Sequence, residues 1–193
     1  GNVEITSNEQ MQEVIDAGVT LTIRPGVEVK GFSDAALIIT RGSKLIANGS
    51  ATSPITFSSI DPDYSSMGEW GGVVIQGFAP QYGQGGTGAC FAAGENFCNV
   101  LGEGGGFRYG GNLPADDSGI LRYVRIAEGG FIVGPNDEIN GLTLQGVGHG
   151  TVIEYVQVHA NLDDGIEWFG GTANVKYAVL THNDDDDIDF DEG

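Results

Sequence analysis

The fourteen residues Tyr155–Trp168, YVQVHANLDDGIEW, are echoed by Tyr177–Phe190, YAVLTHNDDDDIDF, at a constant offset of 22. Gly171 falls on Gly193 at the same offset, and Gly119–Ile126 reads as an earlier copy of the tyrosine strand, separated by a longer coil. A period near 22, made of short strands with glycine and asparagine corners, fits a solenoid of parallel β-strands stacked rung on rung. Leucine-rich repeats share the length but need a leucine pattern that is missing. An immunoglobulin-like sandwich would not produce such an echo.

The rest of the chain agrees. Runs such as Val19–Ile23, Val27–Val29, Ala36–Ile39, Lys44–Ala47, Ile55–Phe57, Val73–Ile75 and Leu121–Ile126 are too short for helices and rich in β-branched residues. Ser7–Gly18 alone reads as a helix, with a capping serine, Met11, Val14 and Ile15 at helical spacing, and a terminal glycine. It is expected to cover the N-terminal edge of the coil and leave the C-terminal edge open to another chain. Hairpin turns are nearly absent. With 193 residues, one domain is expected, with 33 glycines at its many corners. The net charge of −19 argues against nucleic acid or an anionic membrane as partner, and no apolar run is long enough to span a bilayer.

Leu21–Val27, Ala36–Ala47, Pro54–Phe57, Gly68–Ile75 and Asp163–Thr172 together resemble a family of secreted bacterial right-handed parallel β-helix proteins, found largely in marine bacteria and Bacteroidetes and mostly of unassigned function. The resemblance covers nearly the whole chain. It implies an all-β, right-handed parallel β-helix and export, and no particular activity. In similar sequences the repeats run on past the aspartates, so the single domain 1–193 is expected to end in mid-solenoid.

Residues 79–117 interrupt the rungs with a long glycine-rich loop, a candidate recognition element. It holds both cysteines, Cys90 and Cys98, which are expected to form a disulfide, in keeping with a secreted or cell-surface protein. Gly83–Gly88 matches G-x-G-x-x-G, but no strand–turn–helix surrounds it, which excludes nucleotide binding. His149, His159 and His182 lack metal-ligand spacing, and the register sets His159 on Thr181 and His182 on Ala160.

The acidic residues carry the functional signal. Seven of the nine residues Asp184–Glu192 are carboxylates, and the 22-residue register sets Asp163 under Asp185, Asp164 under Asp186 and Glu167 under Asp189. Like charges about 5 Å apart cost on the order of 3 kcal/mol per pair. Ca²⁺, which takes six to eight hard oxygen ligands, would convert that repulsion into coordination by Asp163, Asp164, Glu167, Asp185, Asp186, Asp187 and Asp189. The expected function is a cation-stabilised surface, matrix or binding module, self-associating or bound to extracellular polysaccharide. The alternative is a polysaccharide hydrolase or lyase using Asp163, Asp164 and Asp186, because Asp163-Asp164-Gly165-Ile166 is similar to a polygalacturonase element. A lyase would need a base from Arg122, Arg125 or Lys176. The third reading is a solvated acidic face.

Overall fold

A computed structural model describes residues 4–81, 97–104, 107–135 and 137–192. In chain order the elements are α1 (Asn8–Ala17), β1 (Thr20–Ile23), β2 (Glu28–Gly31), β3 (Leu37–Ile39), β4 (Lys44–Asn48), β5 (Ile55–Ser59) and β6 (Val73–Gln76). Then come β7 (Val100–Leu101), β8 (Arg108–Tyr109), β9 (Gly119–Ala127), β10 (Ile132–Gly134), β11 (Asp137–Glu138) and β12 (Leu142–Gln145). The series ends with β13 (Val152–His159), β14 (Ile166–Phe169), β15 (Val175–Lys176), β16 (Val179–Thr181) and β17 (Ile188–Asp191).

Every pairing between rungs is parallel, and the fold is an all-β parallel β-helix. One sheet runs β3-β6-β12-β14-β17, one strand per rung. The other stacks β1, β4, β9, β13 and β15 in order, while β2, β5 and β16 continue the rungs beside them. The 22-residue echo is a true register: Gln157 pairs with Val179, Ile166 with Ile188 and Glu167 with Asp189. Between β9 and β13 the offset grows to 32, as Val124 pairs with Val156, because the β10–β11 hairpin is inserted there.

The tyrosines mark a corner. Tyr123, Tyr155 and Tyr177 have φ of 49°, 56° and 59°, the left-handed region that bulky residues avoid. They bend their strands, so that the first half of β9 pairs with β4 and the second half with β5. Their rings stack at 4.5 and 4.4 Å, which offsets part of the backbone cost. Inside the coil, Leu45, Ile55, Phe57, Ile75, Leu121, Ile126, Leu144, Ile153, Val158 and Ile166 form one core.

α1 takes its expected span, with the Ser7 hydroxyl accepting from the Gln10 amide. Its position differs from expectation. Met11 packs with Ile5 and Phe78 in a second small core, and the helix backbone abuts Gly42. Thr20, Leu21 and Thr22 of β1 therefore stay exposed. The apolar side of the helix, Met11 with Val14 and Ile15, packs into the cluster of Ile5, Phe78, Phe97 and Leu113 and not onto β1. At the other end, Val179, Ile188 and Phe190 are exposed.

Of the 79–117 segment, residues 82–96, and with them Cys90 and Gly83–Gly88, lie outside the described residues. What is described is tied down. Asn99 exchanges two hydrogen bonds of 2.8 Å with the Ile5 backbone, and Arg108 pairs with Glu4 at 3.1 Å. Cys98 is buried.

Candidate functional site: an acidic sheet face under the inserted loop

Residues paired in register across parallel strands point to the same side of a sheet. In the β3–β17 sheet, Leu142, Leu144, Ile166 and Trp168 point into the core. The alternate positions form two columns on the outer face: Val74–Thr143–Glu167–Asp189, and beside it Gln76–Gln145–Phe169–Asp191. The inserted loop lies over this face. Gln76 donates to the Phe107 carbonyl at 3.1 Å and to Gln145 Oε1 at 2.8 Å, and Gln145 donates to the Glu103 carbonyl at 3.2 Å. Two glutamines thus anchor the segment that brings Glu103 over Glu167.

The turn before each outer strand is held by a side-chain ladder. Asn140 Oδ1 accepts from the Asp164 amide at 3.1 Å, and one rung on Asp164 Oδ1 accepts from the Asp186 amide at 2.9 Å. The stacking of Asp164 beneath Asp186 is therefore no simple meeting of like charges, since a backbone donor sits between them. Asn140, fully buried, also donates from Nδ2 to Glu167.

The carboxyl oxygens converge in two groups, Asp163–Asp164–Asp185 and Asp164–Glu167–Asp189, each with its oxygens within 4.8 Å of one another. Asp164 belongs to both. Asp186 and Asp187 join neither: Asp186 lends its backbone amide to Asp164, and Asp187 accepts from Asn183 Nδ2 at 2.9 Å. Asp185, one residue earlier, is the one that meets Asp163 and Asp164.

Burial dominates the protonation of this face. Glu167 is 7 % exposed. Desolvation, then Glu103 and Asp164, push its carboxyl up to about 9 against the opposing Asn140 hydrogen bond. Glu103 is raised to about 7 by burial and then by Asp137, Asp163, Glu138 and Asp191. Asp163 rises to about 6 through burial, Asp164, Glu138 and Asp185. Burial also raises Asp164, partly countered by the Asp186 amide. The ion pairs among the described residues, Lys44–Asp117, Arg108–Glu4 and Arg122–Glu154, supply no cation to it.

The bases that a lyase would need are elsewhere. Arg122 is bound to Glu154 at 3.0 Å, Arg125 lies 4.2 Å over the Tyr64 ring, and Lys176 belongs to β15, all in the other sheet. His159 sits on Thr181 as its register requires, 2.8 Å from Oγ1, with its other nitrogen 2.9 Å from the Tyr64 carbonyl. The rings of His159 and His182 are 6.1 Å apart, and neither joins a carboxylate group.

A cleft of about 230 Å³ opens beside Glu103, between the inserted loop and the last two outer strands, lined by Val100, Leu101, Tyr109, Phe169, Asp191 and Glu192. Tyr109 and Phe169 meet edge to face at 6.5 Å at its base.

Glu103, Asn140 and Thr143 belong to this face and carry no obvious mark in the sequence. The strand repeat does. Gly72-Val-Val-Ile-Gln-Gly77, Gly141-Leu-Thr-Leu-Gln-Gly146 and Gly165-Ile-Glu-Trp-Phe-Gly170 align three outer strands and place Thr143 beside Glu167.

A coil of parallel strands with an acidic, partly roofed outer face is the architecture of a parallel β-helix protein. The chain matches the model of the pectate-lyase like beta helix domain over residues 5–193, and it belongs to that family. No curated protein and no solved structure gives a significant match to it.

Proposed function

We propose that the chain is a carbohydrate-binding β-helix that holds a divalent cation, Ca²⁺, on its acidic outer face. The observation that carries this reading is the Asp164–Glu167–Asp189 group, whose oxygens lie within 4.8 Å of one another while Asp164 and Glu167 are buried. Ligands at about 2.3–2.6 Å from one Ca²⁺ can be no farther apart than roughly 5 Å, so the group fits a single ion. Asp164 and Glu167 each spend one oxygen on a hydrogen bond and retain another. Asp163 and Asp185 extend the donor set through Asp164.

The test is thermal. In millimolar Ca²⁺ the melting temperature rises by several degrees over that in chelator, since saturating a site 100-fold above its Kd adds about 2.7 kcal/mol. Asp164→Asn combined with Asp189→Asn removes the difference, while asparagine keeps the acceptor for the Asp186 amide. A calcium-independent melting curve at fixed ionic strength overturns the cation reading.

One observation favours a second reading, polysaccharide hydrolysis. Glu167 keeps its proton up to about 9 beside Glu103 and Asp164, which supplies a general acid next to a candidate base or nucleophile. Release of reducing sugar ends, lost in Glu167→Gln and insensitive to chelator, supports the hydrolase. A chelator-sensitive binder without turnover supports the module.

Export belongs to the same proposal, with a Cys90–Cys98 disulfide. Intact-mass analysis after alkylation finds no free thiol in an unreduced sample and two after reduction. Two free thiols without reduction remove the disulfide and the argument for export drawn from it.

A further inference from the structure

The cleft beside the carboxylate groups has a chemistry of its own. Asp191 is the outer-face neighbour of Phe169 across β14 and β17, just as Asp189 is the neighbour of Glu167, so cleft and carboxylates lie side by side on one face. Leu101, half exposed, and Val100 form an apolar wall, while Glu103, Asp191 and Glu192 supply three carboxyls. No lysine or arginine lines it. The eight basic residues of the chain all lie outside 82–96, and Arg108, nearest in sequence, is committed to Glu4 and to the Asn99 carbonyl at 2.8 Å. Tyr109 and Phe169, both buried, close the cleft on its protein side. Thr143, one strand back in the Glu167 column and outside the cleft lining, is 1 % exposed, and its hydroxyl has no hydrogen-bond partner among the described residues.

The volume fixes the scale of the ligand. About 230 Å³ exceeds the ~150 Å³ that takes up benzene and falls short of the ~300 Å³ where drug-sized sites begin. One sugar ring fits. Its charge follows from the lining: a uronate would add another acidic group to a site that already pushes the Glu103 carboxyl up to about 7, whereas an ammonium would favour its ionised form and form charge-assisted hydrogen bonds to Glu103 and Asp191, with its ring carbons against Leu101 and Val100.

We propose that the cleft between the inserted loop and β14–β17 is a subsite for a cationic amino sugar, a glucosamine unit with a free amine, in place of a uronic acid. The inference rests on the carbohydrate-binding reading and narrows it to one substrate class.

Calorimetric titration of the full chain at neutral pH, in Ca²⁺, compares the trimer of glucosamine with its N-acetylated counterpart, a neutral glucose trimer and a galacturonate trimer. The free-amine trimer binds about tenfold more tightly than the N-acetylated one, the increment of one charge-assisted hydrogen bond. Asp191→Asn, at an exposed strand position, abolishes that ratio and leaves the calcium-induced rise in melting temperature intact. Equal binding of the two glucosamine trimers, or a preference for galacturonate, overturns this proposal while the carbohydrate reading stands. No binding of any sugar overturns both, and the calcium experiment still reports on the cation site by itself.

Discussion

In chelator at pH 8, Glu167→Gln melts about 10 °C above the wild type, and at pH 5 the two melt within about 2 °C of each other. The Glu167 carboxyl sits near 4.5 in an ordinary environment and is pushed up to about 9 in the fold. Between those values the folded protein keeps the proton and the unfolded chain releases it. The native state then binds more protons, so stability falls as pH rises, by about 1.4 kcal/mol per pH unit. Below about pH 4.5 both states are protonated and nothing is lost. By pH 8 the loss is about 5 kcal/mol, and at about 2–4 °C per kcal/mol for a chain of this size it reads as 10 °C or somewhat more. Glutamine carries no charge to desolvate, and its carbonyl still accepts from Asn140 Nδ2. Calcium alters the comparison, because an ion at the Asp164–Glu167–Asp189 group stabilises the ionised carboxylate that chelator leaves uncompensated. In millimolar Ca²⁺ the advantage of Glu167→Gln at pH 8 shrinks or reverses. A constant offset between variant and wild type across the whole pH range refutes the protonated Glu167.

Gly72→Ala lowers the melting temperature by at least about 6 °C and weakens the calcium response along with it. Gly72 has φ +139°, and a Cβ there would stand 2.3 Å from the Asn140 carbonyl oxygen and 3.1 Å from that of Gly141. Both obstacles are backbone of the next rung, which moves only if β6 and β12 separate. Overpacking of this kind costs about 1–3 kcal/mol before the unfavourable φ is counted. Asn140 moves with its carbonyl, and it holds both the Asp164 amide and the Glu167 carboxyl. Gly26→Ala is the control. Gly26 also has a left-handed φ, +79°, but the nearest atom to its Cβ position is Ser53 Cβ at 3.8 Å. That variant loses about 1–2 kcal/mol, the cost of the φ alone. Equal melting of the two alanine variants would refute the rung-contact explanation.

Much of the coil is legible in the amino-acid order because a solenoid is built from neighbours in sequence. The echo of Tyr155–Trp168 in Tyr177–Phe190 is the pairing of β13 with β16 and of β14 with β17, and strand alternation places Leu45, Leu121 and Val158 inside. The same arithmetic sets Asp163 by Asp185 and Glu167 by Asp189, two of the contacts that make up the carboxylate groups. Other contacts depend on direction and distance that spacing does not carry. Asp186 occupies the register position above Asp164 but meets it through its backbone amide, because the turn points that donor down the stack. Glu103 reaches Glu167 from 64 positions away, as one acidic residue in a glycine-rich segment with no period of its own. The glutamines that fix it there, Gln76 and Gln145, look in sequence like ordinary ends of two strands. Repetition along the chain therefore determined the rungs, their register and the acidic stack. Only the tertiary structure decided which carboxyls are buried and which converge, since desolvation depends on a roof that comes from a non-repeating part of the chain.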